Sequence, residues 1–277
     1  RNPSAQLLNI AERFFLIDCG EGTQIQLRRY KLGFAKINRI FISHIHGDHV
    51  FGIFGLLSSF QLLSKKNELH IYGPGELMEV IKFYEKYFGV EQSYRIKVHP
   101  LGYTRKMLIY EDDRVEIFSF PLKHRVPTCG FLFREKPADL NLKKESLDIY
   151  KPGIENIQKI KKGEDLILSD GSVIPNRELT LPPWKARSYA YCSDTSYFPD
   201  LAEYLQNVDI LYHEATFSNE DEELAGITGH STSSQAARIA DASKAGKLLI
   251  GHFSSRYKSS EGLLNEAQSI FVNTIAV

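Results

Sequence analysis

A mixed α/β fold is what this chain of 277 residues predicts. Short apolar runs rich in β-branched and aromatic residues recur, each ending on a polar residue able to bind a metal. Helix-patterned stretches lie between them. The 43% hydrophobic content is enough for a large core, and one big domain or two small ones are both allowed.

In chain order, Arg39-Ile40-Phe41-Ile42-Ser43 reads as a strand running into His44. A helix is expected over 75–88, and the strand Val115-Glu116-Ile117-Phe118-Ser119-Phe120 is followed closely by His124. Between Phe133 and Leu166 the apolar periodicity weakens, and residues 143–162 carry six lysines against three acidic residues around Pro152-Gly153. This segment reads as an excursion from the domain. Tyr189-Ala190-Tyr191-Cys192-Ser193 then leads into Asp194, and Val208-Asp209-Ile210-Leu211-Tyr212 into His213-Glu214. A helix over 232–245 opens on Ser/Thr capping candidates, and Lys247-Leu248-Leu249-Ile250-Gly251 ends on His252. Five strands delivering His, Asp or Glu at their C-terminal ends predict one site along an edge of buried sheets.

Lys plus Arg equals Asp plus Glu at 34 each, so any surface for a polyanion must be local. Cys19, Cys129 and Cys192 are too scattered for a CxxC pair or a disulfide framework, which fits a reducing cytoplasm. The most apolar stretch, 50–60, is too short and too rich in Gly and Ser to span a bilayer, and no membrane association is expected. The chain begins at Arg1 without a methionine, and its N-terminus is read as lying upstream.

The densest chemistry lies in FISHIHGDHVFGI, residues 41–53. In an extended segment alternate side chains share a side, so His44 and His46 can converge on one ion while Asp48 and His49 approach from the next turn. Imidazoles with a carboxylate suit zinc, or manganese and iron, better than magnesium or calcium. Four ligands from one loop crowd a single ion that must also hold water, so two ions are the simpler solution. His124, Asp194 and His252 would then complete both shells, with Asp194 able to bridge. Such a pair binds a phosphate and makes hydroxide available near neutral pH, with Asp48 the best residue to orient or deprotonate that water. Lone histidines such as His70 and His99 are read as packed or surface residues.

His44-x-His46-x-Asp48-His49 resembles the signature of the metallo-β-lactamase superfamily, with Asp18 in LIDCGEGTQ and His124, Asp194 and His252 matching its other motifs. The resemblance covers nearly the whole chain. It implies an αββα sandwich with a dinuclear site in a single domain over 1–277, one zinc on His44, His46, His124 and Asp194 and a second on Asp48, His49, Asp194 and His252, with Asp18 outside the ligands fixing a ligand or a loop. The segments YHEATF (212–217), GHSTSSQAA (229–237), GHFSSRY (251–257) and HRVPTCGF (124–131) look like the tRNase Z branch, the endoribonucleases that remove 3′ trailers from precursor tRNA.

That resemblance implies His230 as general acid paired with Glu214, phosphate binding by Ser254, Ser255 and Arg256, and a loop-holding role for His213. The family works as homodimers, and an arm extruded from its domain grips the tRNA. Residues 136–172 look like that arm, with Lys143, Lys144, Lys151, Lys159, Lys161 and Lys162 supplying phosphate attraction. The chain departs from the family in keeping only Pro152-Gly153 of a richer Gly-Pro motif, in carrying Ser193 where Gly is common, and in lacking the first strand before residues 1–4. Two other functions compete: a general phosphodiesterase without tRNA specificity, and a non-catalytic RNA-binding relative. The second is disfavoured because no ligand position is lost.

Overall fold

The computed structural model describes residues 2–33, 36–88 and 93–277, which fall into two compact units: the residues up to Arg134 with Ser188–Val277, and Glu135–Arg187. The first sheet of the larger unit has the order β1 (Gln6–Ile10), β2 (Arg13–Ile17), β3 (Ile37–Phe41), β4 (Leu69–Gly73), β5 (Ile96–Pro100). Its first pair is antiparallel and the others are parallel. The connections carry α1 (Thr23–Arg29), α2 (Gly47–Val50), α3 (Ile53–Leu62) and α4 (Leu77–Phe88).

The second sheet begins with β6 (Met107–Glu111), β7 (Val115–Leu122) and β8 (Thr128–Glu135). The smaller unit follows, with β9 (Asn141–Leu142), α5 (Lys144–Tyr150), α6 (Ile154–Lys161), β10 (Leu166–Ile167), β11 (Val173–Ile174), α7 (Asn176–Leu179) and β12 (Thr180–Leu181). The sheet resumes with β13 (Ser188–Cys192), α8 (Leu201–Tyr204), β14 (Ile210–Glu214), α9 (Glu222–Thr228), α10 (Ser233–Ala242), β15 (Lys247–Gly251), α11 (Glu261–Gln268) and β16 (Thr274–Ala276). Its strand order is β16-β15-β14-β13-β8-β7-β6, with β13 to β16 mutually parallel.

Period-two alternation assigns each strand residue to one of three apolar layers. Phe15 and Ile17 of β2, Phe41 of β3, Phe131 and Phe133 of β8, Tyr191 of β13 and Tyr212 of β14 form the layer between the sheets. The intervening Leu16, Ile40 and Ile71 face α1, α3 and α4, where they meet Leu27, Leu56, Leu57 and Ile81. On the far side Ala190, Leu211, Leu248 and Ile250 pack against Leu201 of α8, Ala236, Ala237 and Ile239 of α10, and Ala267 of α11. The result is an αββα sandwich of the metallo-β-lactamase type.

Several boundaries differ from the sequence expectation. β14 continues through His213 and Glu214, which pair with Ile250 and Gly251 of β15, so these residues are part of the ladder. β3 starts at Ile37 and stops at Phe41, because the amide and hydroxyl of Ser43 turn to the Asp18 carboxylate at 2.8 and 3.0 Å. α10 starts at Ser233 behind Thr232, which forms a capping box with Gln235 worth about 1 kcal/mol.

The smaller unit contains the excursion expected over 136–172 and continues to Arg187, because β12 returns to pair antiparallel with β9. It has its own small core of Ile160, Leu166 and Leu179 packed by Leu142, Tyr150, Leu168 and Ile174. Pro152-Gly153 joins α5 to α6. Among the described residues no helix is long and apolar enough to cross a membrane.

Candidate metal centre and active site

The site forms where strands end. Asp18 follows β2, His44 and His46 follow β3, and α2 supplies Asp48 and His49 within its single turn. His124 follows β7, Asp194 follows β13, and His252 follows β15. Asp18 and His252 adopt left-handed backbone conformations, with φ of 54° and 62°. Such conformations cost side-chain-bearing residues on the order of 1–3 kcal/mol and persist where their surroundings hold them. Gly52 lets α3 approach the LIDCGEGTQ loop, since a Cβ there would overlap the backbone carbonyl oxygen of Gly20.

Two sets of side-chain atoms converge. In the first, His46 Nδ1 lies 3.1 Å from His44 Nε2 and 3.3 Å from His124 Nε2. Asp194 Oδ2 lies 3.6 and 3.9 Å from the Nε2 atoms of His44 and His124. In the second, His49 Nε2 and His252 Nε2 each lie 3.4 Å from Asp48 Oδ2, and 3.5 and 3.4 Å from Asp194 Oδ1. The two oxygens of Asp194 therefore face different sets.

These residues fit a divalent transition ion. Zinc–nitrogen bonds of about 2.0–2.1 Å give a tetrahedral cage whose edges are about 3.3–3.4 Å, close to the separations observed. His49 Nε2 and Asp194 Oδ1 are buried, and neither has a hydrogen-bond partner. Buried polar atoms are costly unless something satisfies them, and a cation between these two would do so.

The outward nitrogens of four histidines are all engaged, which aims the opposite lone pair inward. His49 Nδ1 donates to Asp18 Oδ2 at 2.8 Å, and His124 Nδ1 donates to the Gly229 carbonyl at 2.7 Å. His44 Nδ1 meets Ser43 Oγ at 3.0 Å, and His252 Nδ1 meets Thr216 Oγ1 at 3.0 Å. Asp18 is fully buried and also accepts from Tyr191 Oη at 2.6 Å. Ser193 contributes too, since its hydroxyl lies 2.9 Å from Ser43 Oγ.

The electrostatics follow from burial and this spacing. Burial, with the charge of His49 beside it, depresses His44 to about 3, so it presents a lone pair at any ordinary pH. Asp48 is held far below the usual carboxylate range by the hydrogen bond from His252 and by the positive charge of His49 beside it. Burial opposes ionisation of Asp194, but the positive field of His252 and His49 wins and its pKa falls. Burial likewise opposes protonation of His252, yet Asp194 and Asp48 raise it to about 9.

Beside the cage stand His230 and Glu214. The His230 ring centroid lies 5.1 Å from that of His124 and 5.6 Å from that of His252. Its Nδ1 donates to Glu214 Oε1 at 3.1 Å, which leaves Nε2 as the atom able to carry a transferable proton. Glu214 is fully buried, and it also accepts from the amides of Thr195, Ser231 and Thr216 at 3.1, 2.9 and 2.9 Å. Burial opposes its ionisation most strongly, but the hydrogen bond and charge of His230, with the charge of His252, together outweigh it and its pKa is lowered.

A cleft of about 870 Å³ is lined by Asp48, Thr216, His252 and Ser254, among others. Ser255 is exposed. The Arg256 guanidinium is bonded to Asp221 at 2.9 Å and lies over the Phe217 ring. His213 is buried within β14, its Nδ1 donating to the Glu214 carbonyl at 2.6 Å. His70 and His99, given no role above, bond each other at 2.9 Å, and His70 also meets Glu68. Lys144, Lys151, Lys159, Lys161 and Lys162 are exposed. Lys143 differs, because it is half-buried and its Nζ donates to the carbonyls of Arg177 and Glu178, both at 3.0 Å. Sequence reasoning gave no role to Ser43, Tyr191 and Thr216, although Ser43 lies within FISHIHGDHVFGI, Tyr191 on the strand that leads to Asp194 and Thr216 within YHEATF.

The sandwich and the His/Asp set at its strand ends define a metal-binding hydrolase of the metallo-β-lactamase fold. Bacillus subtilis YhfI, described as a metallo-beta-lactamase fold protein, matches with a TM-score of 0.69 at 20% identity, covering 100% of this chain and 89% of that one. A family model described as Anti-Pycsar protein Apyc1 matches residues 2–101. A ribonuclease Z from Bacteroides thetaiotaomicron is 44% identical over 98% of this chain and 86% of its own length. One from Porphyromonas gingivalis is 43% identical over 99% and 90%. The crystal structure of human tRNase Z, short form, matches with a TM-score of 0.69 at 27% identity, covering 94% of this chain and 88% of that one. The chain belongs to the ribonuclease Z family.

Proposed function

We propose that this protein is an endoribonuclease that removes the 3′ trailer from precursor tRNA, leaving a 3′-hydroxyl on the tRNA and a 5′-phosphate on the trailer. The observation that carries this reading is the pair of half-buried His230 and buried Glu214 beside a ligand cage of His and Asp. Two zinc ions are the cofactor this cage suits, since Asp194 turns one oxygen to each set; manganese or iron meets the same donor demands. When bound, such ions acidify water and offset charge on the scissile phosphate.

The chain's own residues supply the rest. The Asp48 side chain is 51% exposed to the cleft, and as a carboxylate it orients the attacking water and accepts its proton. His230 Nε2 gives a proton to the leaving 3′-oxygen, and Glu214 on Nδ1 stabilises the imidazolium that precedes this transfer. Ser254 sits on the cleft wall for a phosphate oxygen, with Ser255 and Arg256 following. Asp18 and His213 hold the ligand loop and the β14 end.

The smaller unit, with its exposed lysines, is the tRNA-gripping arm. An exposed apolar patch of Phe83, Tyr87 and Phe88 on α4, beside Phe54 of α3, supports a homodimer. Three buried free thiols support a cytoplasmic location. The general phosphodiesterase reading is not favoured, because the ribonuclease Z relatives match over nearly the whole chain, arm included. Asp48→Ala is the test: cleavage is abolished while tRNA binding persists, and wild-type turnover by that variant would defeat the mechanism.

A further inference from the structure

We propose that the Thr216 hydroxyl is a positioning group that ties metal ligand His252 to the same carboxylate that orients His230. Thr216 Oγ1 donates to Glu214 Oε2 at 2.7 Å. A hydroxyl has a single proton, so with that proton spent on Glu214 the oxygen acts toward His252 Nδ1, 3.0 Å away, as an acceptor. His252 therefore keeps a ring proton on Nδ1, and Nε2, which faces Asp48 and Asp194, is the nitrogen that would hold a metal.

The remaining contact agrees. Thr216 Oγ1 is 3.3 Å from His230 Nδ1, longer than the 3.1 Å from that nitrogen to Glu214 Oε1, so His230 belongs to the other oxygen of Glu214. One buried carboxylate thus serves two histidines, His230 directly through Oε1 and His252 through the threonine on Oε2. Metal-binding histidines commonly give their outer N–H to a carboxylate directly; here a hydroxyl is interposed. The Thr216 amide also bonds Glu214 Oε2, at 2.9 Å, so the relay is held at both its backbone and its side chain.

The local fold allows little else. Thr216 is 7% exposed, and its carbonyl accepts the Ser254 amide at 3.0 Å, which fixes the segment after His252 against it. His252 itself is in a left-handed backbone conformation, so its ring orientation depends on outside contacts, and Thr216 supplies the one made by Nδ1.

This inference rests on the metal-dependent reading of the site but not on its RNA substrate. Its test compares Thr216→Val, which keeps the shape and removes the hydroxyl, with Thr216→Ser, which keeps the hydroxyl. The chelated, full-length protein is titrated with zinc against a fluorescent chelator, and each variant's cleavage of precursor tRNA is measured at saturating zinc. For Thr216→Val we expect about a 10–100-fold loss of affinity for one of two zinc equivalents, with the other unchanged. Thr216→Ser restores wild-type affinity. At saturating zinc, Thr216→Val lowers kcat more than it raises KM, because Glu214 is also loosened behind His230. Wild-type zinc affinity for Thr216→Val overturns the inference, as does equal weakening of both equivalents that Thr216→Ser does not repair. If the wild-type protein binds zinc as described but cuts no tRNA, the substrate assignment falls and the zinc titration still decides the role of Thr216.

Discussion

Replacing Asp18 with Asn changes almost no volume, yet it should be among the most costly substitutions in the protein. The carboxylate accepts Ser43 N at 2.8 Å on Oδ1, and Ser43 Oγ, His49 Nδ1 and Tyr191 Oη at 3.0, 2.8 and 2.6 Å on Oδ2. An amide keeps one oxygen. With that oxygen toward the three donors, its NH₂ confronts the Ser43 amide; reversed, it confronts all three. Leaving one buried donor unsatisfied costs about 1–3 kcal/mol, and weakening the bonds that remain adds about 1–2 kcal/mol. The sum is about 2–5 kcal/mol, a large share of the roughly 5–15 kcal/mol that holds a domain folded. His49 also loses the partner that fixes its tautomer, so zinc affinity should fall by about 10–100-fold. Urea unfolding of the chelated protein measures the first effect, and chelator competition measures the second. A variant within about 0.5 kcal/mol of wild type, the usual range for surface changes, and with unaltered zinc affinity would refute the role given to Asp18.

Other consequences are as direct. His230→Ala should lower kcat by about 10²–10⁴-fold while zinc content by elemental analysis stays unchanged. In the chelated protein His252 is raised to about 9, so at neutral pH it holds a proton that a metal must displace. Zinc affinity should therefore climb with pH until it levels off near 9, and calorimetry in buffers of different ionisation enthalpy counts the protons released. The same shift stabilises the chelated protein fully below the unfolded histidine pKa of about 6.5, and that stabilisation is lost as pH rises through about 9. Arg134 and Ser188 are paired across β8 and β13, so residues 135–187 can be replaced by a short glycine turn. The product should hydrolyse a small chromogenic diester as the parent does but lose most tRNA affinity. Trp184, the chain's single tryptophan, is 91% exposed within the excised unit, so in the parent its fluorescence should respond to tRNA.

Legibility in the sequence followed burial and motif density. The five strands read from their ligating ends lie in both sheets, yet only β3 came from the first sheet. β1, β4 and β5 end in no site residue, β2 is marked only by Asp18 in LIDCGEGTQ, and short mixed runs such as Leu69-His70-Ile71-Tyr72 do not stand out by period alone. The ligating side chains were legible because their types and spacing are rare together. Their supports were not: the Gly229 carbonyl that orients His124 is a backbone group without a sequence signature, and the Tyr191–Asp18 bond joins residues 173 apart. Lys143 shows the opposite failure, where composition grouped it with phosphate-seeking neighbours although its ammonium ties down α7.

The most direct measurement incubates the purified, zinc-loaded protein with a precursor tRNA labelled at each end in turn and maps both new termini. The expected result is one cut near the discriminator nucleotide, giving a tRNA with a 3′-hydroxyl and a trailer with a 5′-phosphate, and no cut by Asp48→Ala. An intact substrate at full zinc occupancy, or products ending in a cyclic phosphate, would contradict it.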